Sequence, residues 1–266
     1  MMDERSKKLR RLAVDAFAAD RRGHIGPTLS LIEILRVLYD SFLNFRPDEP
    51  NWPDRDRLIL SKGHGCLALY SILADKGFFS ESELKTFCKH DSRLGGHPER
   101  GKLPGIEAST GALGHGLPIG VGMALAAKIK NKDYRVVVVT GDGELNEGSV
   151  WEAAMSASKH KLSNLTVFVD HNKFQSYGLT KDVLDMGSLV DKWTTFGFSA
   201  VEVDGHDVAS IEKIVTYLPF NSNKPTAIVC NTVKGKGFPS AEHQADWHHK
   251  SGLSQDVINE MYKCLE

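Results

Sequence analysis

The sequence predicts an α/β fold in which a mostly parallel sheet is sandwiched between helices. Three observations carry this. Short β-branched runs alternate with amphipathic helical stretches along most of the 266 residues, the pattern of a sheet covered on both faces. The stretch from Arg135 to Asn172, RVVVVTGDGELNEGSVWEAAMSASKHKLSNLTVFVDHN, reads as strand, glycine turn, helix and strand, one βαβ unit. With 41% hydrophobic residues, the chain can bury a core large enough for one domain spanning 1–266.

Taken in order, apolar residues at three- and four-residue spacing predict helices near Asp3–Asp20, Thr28–Ser41, Gly65–Lys76, Glu81–Lys89 and Gly114–Lys130. Further helices are expected over Ser149–His160, Val208–Leu218 and Ser254–Leu265. Strands are expected at Leu58–Leu60, Val136–Thr140, Leu165–Asp170, Ala200–Val203 and Ala227–Cys230, each short and rich in β-formers. No repeat, low-complexity tract or long Pro/Gly/Ser linker divides the chain.

Charge is balanced at a formal −1, with no dense Lys/Arg tract, which argues against a nucleic-acid partner. The four cysteines, Cys66, Cys88, Cys230 and Cys264, lack CxxC or zinc spacing and read as reduced thiols. The N-terminus is charged and then helical, unlike a signal peptide, and no eighteen-residue apolar run occurs. A cytoplasmic protein with no membrane span is expected.

Right-handed crossover brings the ends of the two strands in the βαβ unit, and with them Asp142 and Asn172, to one edge of the sheet. A carboxylate and an amide converging there suit a hard cation such as Mg2+ (or Ca2+ or Mn2+), which takes oxygen ligands. Gly141 and Gly143 leave room for backbone N–H groups to approach an anion, and a helix starting near Gly148 aims its positive end at the same cleft. The site reads as metal plus diphosphate.

This segment resembles the thiamin-diphosphate signature, GDG followed after about thirty residues by Asn, in its transketolase form GDGELNEGxxWEA. Other blocks follow in that family's order: GHIGPTLS (Gly23–Ser30), DRLILSKGH (Asp56–His64), GGHPE (Gly95–Glu99), GIEASTGALGHGL (Gly105–Leu117) and VKGKG (Val233–Gly237). The resemblance spans about residues 5 to 250 and implies the thiamin-diphosphate-binding, or PP, domain.

It also implies roles. Asp142, Asn172 and the backbone carbonyl of Phe174 would hold the metal. His64, Gly111, Leu113, Gly141, Gly143, Asn172, Lys234 and His248 would contact cofactor, with Glu147 at a subunit boundary linking two active sites. Lys234 could instead be a solvated loop lysine. His24, His97 and His248 would meet the sugar and move protons, since an imidazole titrates near neutrality. The pair His248-His249 leaves a one-residue ambiguity. His206 reads as structural, and His171 as packing beside the metal site. His115 stands where many full-length relatives have Gln.

Full-length transketolases carry a second α/β domain whose Glu protonates the aminopyrimidine and whose Arg and Ser groups hold the sugar phosphate; this sequence contains neither. Alone, the chain is expected to be inactive. Either the sequence is a cut fragment or, as its initial Met and finished last helix suggest, it is the N-terminal subunit of a split transketolase, in a two-plus-two heterotetramer with a C-terminal, pyrimidine-binding partner. The implied reaction transfers a two-carbon ketol unit from a ketose (phosphate) donor to an aldose acceptor. Alternatives are a deoxysugar or α-hydroxyketone synthase, the α-type chain of a 2-oxo acid dehydrogenase, or a non-catalytic scaffold of the same fold.

Overall fold

A computed structural model of the chain describes residues 2–176 and 178–266. Its strands are β1 (Arg22–Gly23), β2 (Arg57–Leu60), β3 (Val136–Gly141), β4 (Leu165–His171), β5 (Ser199–Asp204), β6 (Thr226–Asn231) and β7 (Lys250–Ser251). Five form one sheet, wholly parallel, in the order β2-β3-β4-β6-β5, while β1 and β7 pair antiparallel as a separate ribbon. The helices are α1 (Glu4–Asp20), α2 (Ile25–Leu29), α3 (Ile32–Val37), α4 (Cys66–Asp75) and α5 (Gly116–Ile129). After them come α6 (Gly148–Lys159), α7 (Thr180–Leu184), α8 (Leu189–Thr195), α9 (Val208–Val215) and α10 (Gln255–Lys263).

Strand alternation explains the layering. Val136 and Val138 of β3 join one apolar cluster with α5, α6 and α8, whereas Val137 and Val139 join the other with α1, α3 and α4. All four valines are fully buried, which is why β3 reads as an unbroken apolar run instead of an alternating one. Burying each side chain is worth about 1.5–3 kcal/mol. Helix α5 lies close on this sheet: a Cβ at Gly120 would fall 2.5 Å from Val138 Cγ2.

All five expected strands are present, each longer than the expected span by a residue or two. Two helical expectations need correction. Thr28–Ser41 is α2, α3 and then a π turn over Leu38–Phe42, with Ser30 and Leu31 interrupting the helix although both keep right-handed helical dihedrals. Glu81–Lys89 is a 3-10 segment ending at Thr86, followed by Cys88 at φ 56°, so no α-helix continues there. Helix α8 is an addition to the expected set; the fully buried Trp193 ties it to the sheet. No helix of the described residues is long and apolar enough to cross a membrane.

Candidate functional site

Strands β3 and β4 pair so that Gly141 stands opposite Asp170, and the chain leaves both strands at the same carboxyl edge. Asp142 follows directly on β3, and Asn172 follows β4. Asp142 is buried, its Oδ1 accepting from Gly143 N at 2.8 Å and its Oδ2 from Lys173 N at 2.6 Å. Lys173 adopts φ 70°, an uncommon conformation for a side chain with a Cβ. That bend lets Asn172 Oδ1 accept from Phe174 N at 3.0 Å, so Asp142 and Asn172 grip neighbouring amides of one turn. Asn172 Nδ2 donates to Asp170 Oδ2 at 3.3 Å.

Two buried carboxylates thus sit side by side with different surroundings. Asp170 meets Lys62 Nζ in an ion pair buried on both sides and accepts from Ser30 Oγ at 2.6 Å and from Thr232 Oγ1. Burial opposes its charge, yet Lys62 and these hydroxyls hold its carboxyl below the usual range. Asp142 has no such cation; burial and then the Asp170 charge push its carboxyl up to about 7. A divalent ion would relieve that penalty, so this oxygen-rich turn fits a hard metal. Among the described residues no group of three or more His, Cys, Asp or Glu converges as a metal cluster. The donors would therefore be one carboxylate, one amide and backbone.

Above this edge opens a cleft of about 230 Å³. Its walls include His24, His64, His97 and His248, with the His24 ring centroid 5.3 Å from His64, 5.9 Å from His97 and 5.3 Å from His248. Burial, then neighbouring imidazoles and lysines, depress His24 to about 4. Burial and Lys234 depress His248 to about 3, and burial and Lys62 hold His64 well below its ordinary value. Burial also lowers His97. All four rings are neutral at pH 7, each with one donor and one acceptor nitrogen.

Lys234 stands behind the wall, fully buried, with Nζ 3.1 Å from His248 Nδ1 and 5.3 Å above the Phe174 ring. Burial and then Lys62 lower it to about 8, and among the described residues no carboxylate lies within ion-pair distance. Gln175 Nε2 is buried, lacks a partner among the described residues and belongs to a side chain lining the cleft. An ammonium without a counter-ion and an orphaned donor are what an anionic, acceptor-rich ligand would complete.

A profile of the family described as transketolase, thiamine diphosphate binding domain, matches residues 2–265. The chain belongs to the transketolase family. It is 44% identical over 257 residues to one subunit of the apulose-4-phosphate transketolase of Actinobacillus succinogenes, covering 96% of this chain and 93% of that one. A 6-deoxy-6-sulfo-D-fructose transketolase subunit of a Clostridium species is 38% identical, covering 99% and 94%. The transketolase structure from Campylobacter jejuni superposes with a TM-score of 0.91 at 31% identity, over 98% of this chain and 42% of that one. The chain spans about two fifths of the solved transketolases it matches.

Against this transketolase frame, most of the expected site residues come together. His24, His64, His97 and His248 share the cleft with Gly111, Leu113, Gly141, Asp142, Gly143, Asn172 and Phe174. The His248-His249 ambiguity resolves: His248 lines the wall and His249 is exposed, its ring 4.7 Å from that of His24. Lys234 is no solvated lysine. His206 is a brace, as expected, bonded to Glu33 and Val233. His171 keeps a buried Nδ1 without a partner among the described residues and faces a neighbouring cavity with Lys181 and Met186.

Other expected residues make contacts the sequence does not announce. In this structure Gly141 N donates to Glu144 Oε2 at 3.1 Å and Gly143 N to Asp142 Oδ1 at 2.8 Å, so both amides are engaged within the motif. The 3-10 turn Gly143–Asn146 separates α6 from the strand end, and Gly148, its first residue, is exposed and outside the cleft wall. Glu147, expected at a subunit boundary, lies over Gly114, is exposed in the single chain and stands outside the cleft wall. The buried carboxylate of that motif is Glu144, which accepts from Ser61 Oγ and from Gly114 N at 2.9 Å and so ties three family blocks together. Lys62, Asp170, Glu144 and Gln175 escape sequence reasoning; the available signals are SKGH after a strand and VDHN at the end of the next.

Proposed function

We propose that this chain is the N-terminal, diphosphate-holding subunit of a split transketolase that transfers a two-carbon ketol unit from a ketose (phosphate) donor to an aldose acceptor. The observation that carries the reading is the cleft itself, where an unpaired buried carboxylate, an unpaired buried ammonium and four neutral imidazoles meet at one sheet edge. Asp142, Asn172 and the carbonyl of Phe174 would hold Mg2+. His64 and Lys234 would face the diphosphate, with Gln175 offering its orphaned N–H. Thiamine diphosphate, once bound, would supply the electron sink for cleaving and forming the carbon–carbon bond. His24, His97 and His248, neutral at pH 7, would hydrogen-bond the sugar hydroxyls and pass protons at those oxygens.

Relatives of matching length named as subunits support a partner chain, here a C-terminal, pyrimidine-binding subunit in an α2β2 heterotetramer. In this reading 1–266 is one domain, the complex is cytoplasmic, and activity requires both chains. Among the described residues the cleft wall contains no Arg, so an anionic end of the sugar would be read by the partner. Relatives are named for apulose 4-phosphate and for 6-deoxy-6-sulfo-D-fructose, which supports a ketose with an anionic end as substrate. The test is to co-produce the chain with the partner and assay ketol transfer with and without each chain. His97→Ala should retain cofactor and lose about 10²–10⁴-fold in turnover; turnover at the wild-type rate would remove His97 from the chemistry.

A further inference from the structure

The loop Val233–Phe238, which presents Lys234, lies outside every helix and strand. An ammonium buried without a counter-ion gains by swinging out to water, so something must hold its backbone. The structure assigns that task to three residues far from it in sequence. Val233 N donates to His206 Nε2 at 2.8 Å, one position before Lys234. Because Nε2 accepts there, the ring proton sits on Nδ1 and is donated to Glu33 Oε2 at 2.8 Å. Glu33 is gripped by Arg10 through both terminal nitrogens, at 2.5 and 2.9 Å. Arg10 then returns to the same loop, its Nε donating to Lys236 O at 3.0 Å.

We infer that Arg10, Glu33 and His206 form a buried clamp whose two ends close on either side of Lys234, making them positioning residues for the diphosphate pocket. Arg10 is fully buried and Glu33 nearly so, and among the described residues none of the clamp's hydrogen bonds goes to a cleft-lining side chain. Its effect on the site passes through the backbone at 233 and 236. Gly235 N adds a tie to Gly26 O at 3.1 Å, joining the loop to the segment that carries His24. The inference rests on the reading above that Lys234 meets the diphosphate.

The experiment uses this chain assembled with its partner, titrated calorimetrically with thiamine diphosphate in saturating Mg2+. His206→Asn, too short to reach Val233, should weaken binding by about tenfold, or ~1.4 kcal/mol, while kcat at saturating cofactor stays within about twofold. His206→Gln, which can still accept from Val233 N, should recover most of the affinity. In a Lys234→Met background, His206→Asn should add nothing further. Glu33→Gln is the second lesion, expected to act in the same direction.

The inference is overturned if His206→Asn and Glu33→Gln both bind cofactor as the wild type does, or if the His206→Asn loss adds in full to that of Lys234→Met. Weak binding by Lys234→Met alongside normal binding by the clamp variants would remove the clamp and leave the diphosphate site standing. Normal binding by Lys234→Met would remove Lys234 from that site, and the clamp's purpose with it.

Discussion

Asp142 and Asp170 end neighbouring parallel strands, and both are buried, yet they are built for opposite purposes. Asp170 has a full set of partners: the Lys62 ammonium, the hydroxyls of Ser30 and Thr232, and the Asn172 amide. Asp142 has two backbone amides and a like charge beside it. Satisfied buried carboxylates lock a fold, whereas an under-compensated one stores a penalty that a ligand can release. The contrast separates what holds this edge of the sheet from what the edge holds.

The largest test of that contrast is Asp170→Asn, which strands Lys62 as a buried unpaired cation and should cost about 3–5 kcal/mol in unfolding experiments. Asp142→Asn should do the reverse in metal-free protein. Its carboxyl is raised in the fold, so its contribution to stability is complete at low pH and lost as pH rises through about 7. At pH 8 the amide should therefore leave stability equal or raise it, by up to ~4 kcal/mol at about 1.4 kcal/mol per pH unit displaced. Equal losses in both variants would erase the distinction. Ser30→Ala removes one hydrogen bond to the charged Asp170 and should cost ~1.5–3 kcal/mol; no loss would mean Lys62 alone suffices.

A smaller effect concerns the ammonium beyond the pair. Lys234 is lowered to about 8 and would be charged against an anion. Diphosphate affinity should thus be at its full value below pH 8 and fall as pH rises above it, by up to tenfold per unit, or ~1.4 kcal/mol. Lys234→Met should flatten the profile. A wild-type profile flat from pH 7 to 9.5 would place the ammonium elsewhere in the bound state.

The strands were legible because β-branched runs between turns leave few other choices, and Asp142 with Asn172 followed from the handedness of one βαβ unit. What escaped depends on contacts between distant segments. The ribbon of β1 with β7 brings the Trp247-His248 segment to His24 across more than two hundred residues; no local pattern announces the ribbon, and only the family resemblance put the two histidines in one site. Glu144 and Glu147 share one motif, and only the 3-10 turn decides which is buried. Nothing local distinguishes Lys62 from other lysines; the fold sets it against Asp170. The Thr28–Ser41 stretch has helical periodicity, and local propensity does not specify the interruption at Ser30 and Leu31 or the closing π turn.

The most direct measurement is an anomalous-difference map from crystals of the two-chain complex grown with thiamine diphosphate and Mn2+. One strong peak is expected at the strand ends, bonded to Asp142, Asn172 and the Phe174 carbonyl, and no peak there in Asp142→Ala. A metal bound elsewhere in the cleft, with the Asp142 carboxylate still turned to its own amides, would contradict it.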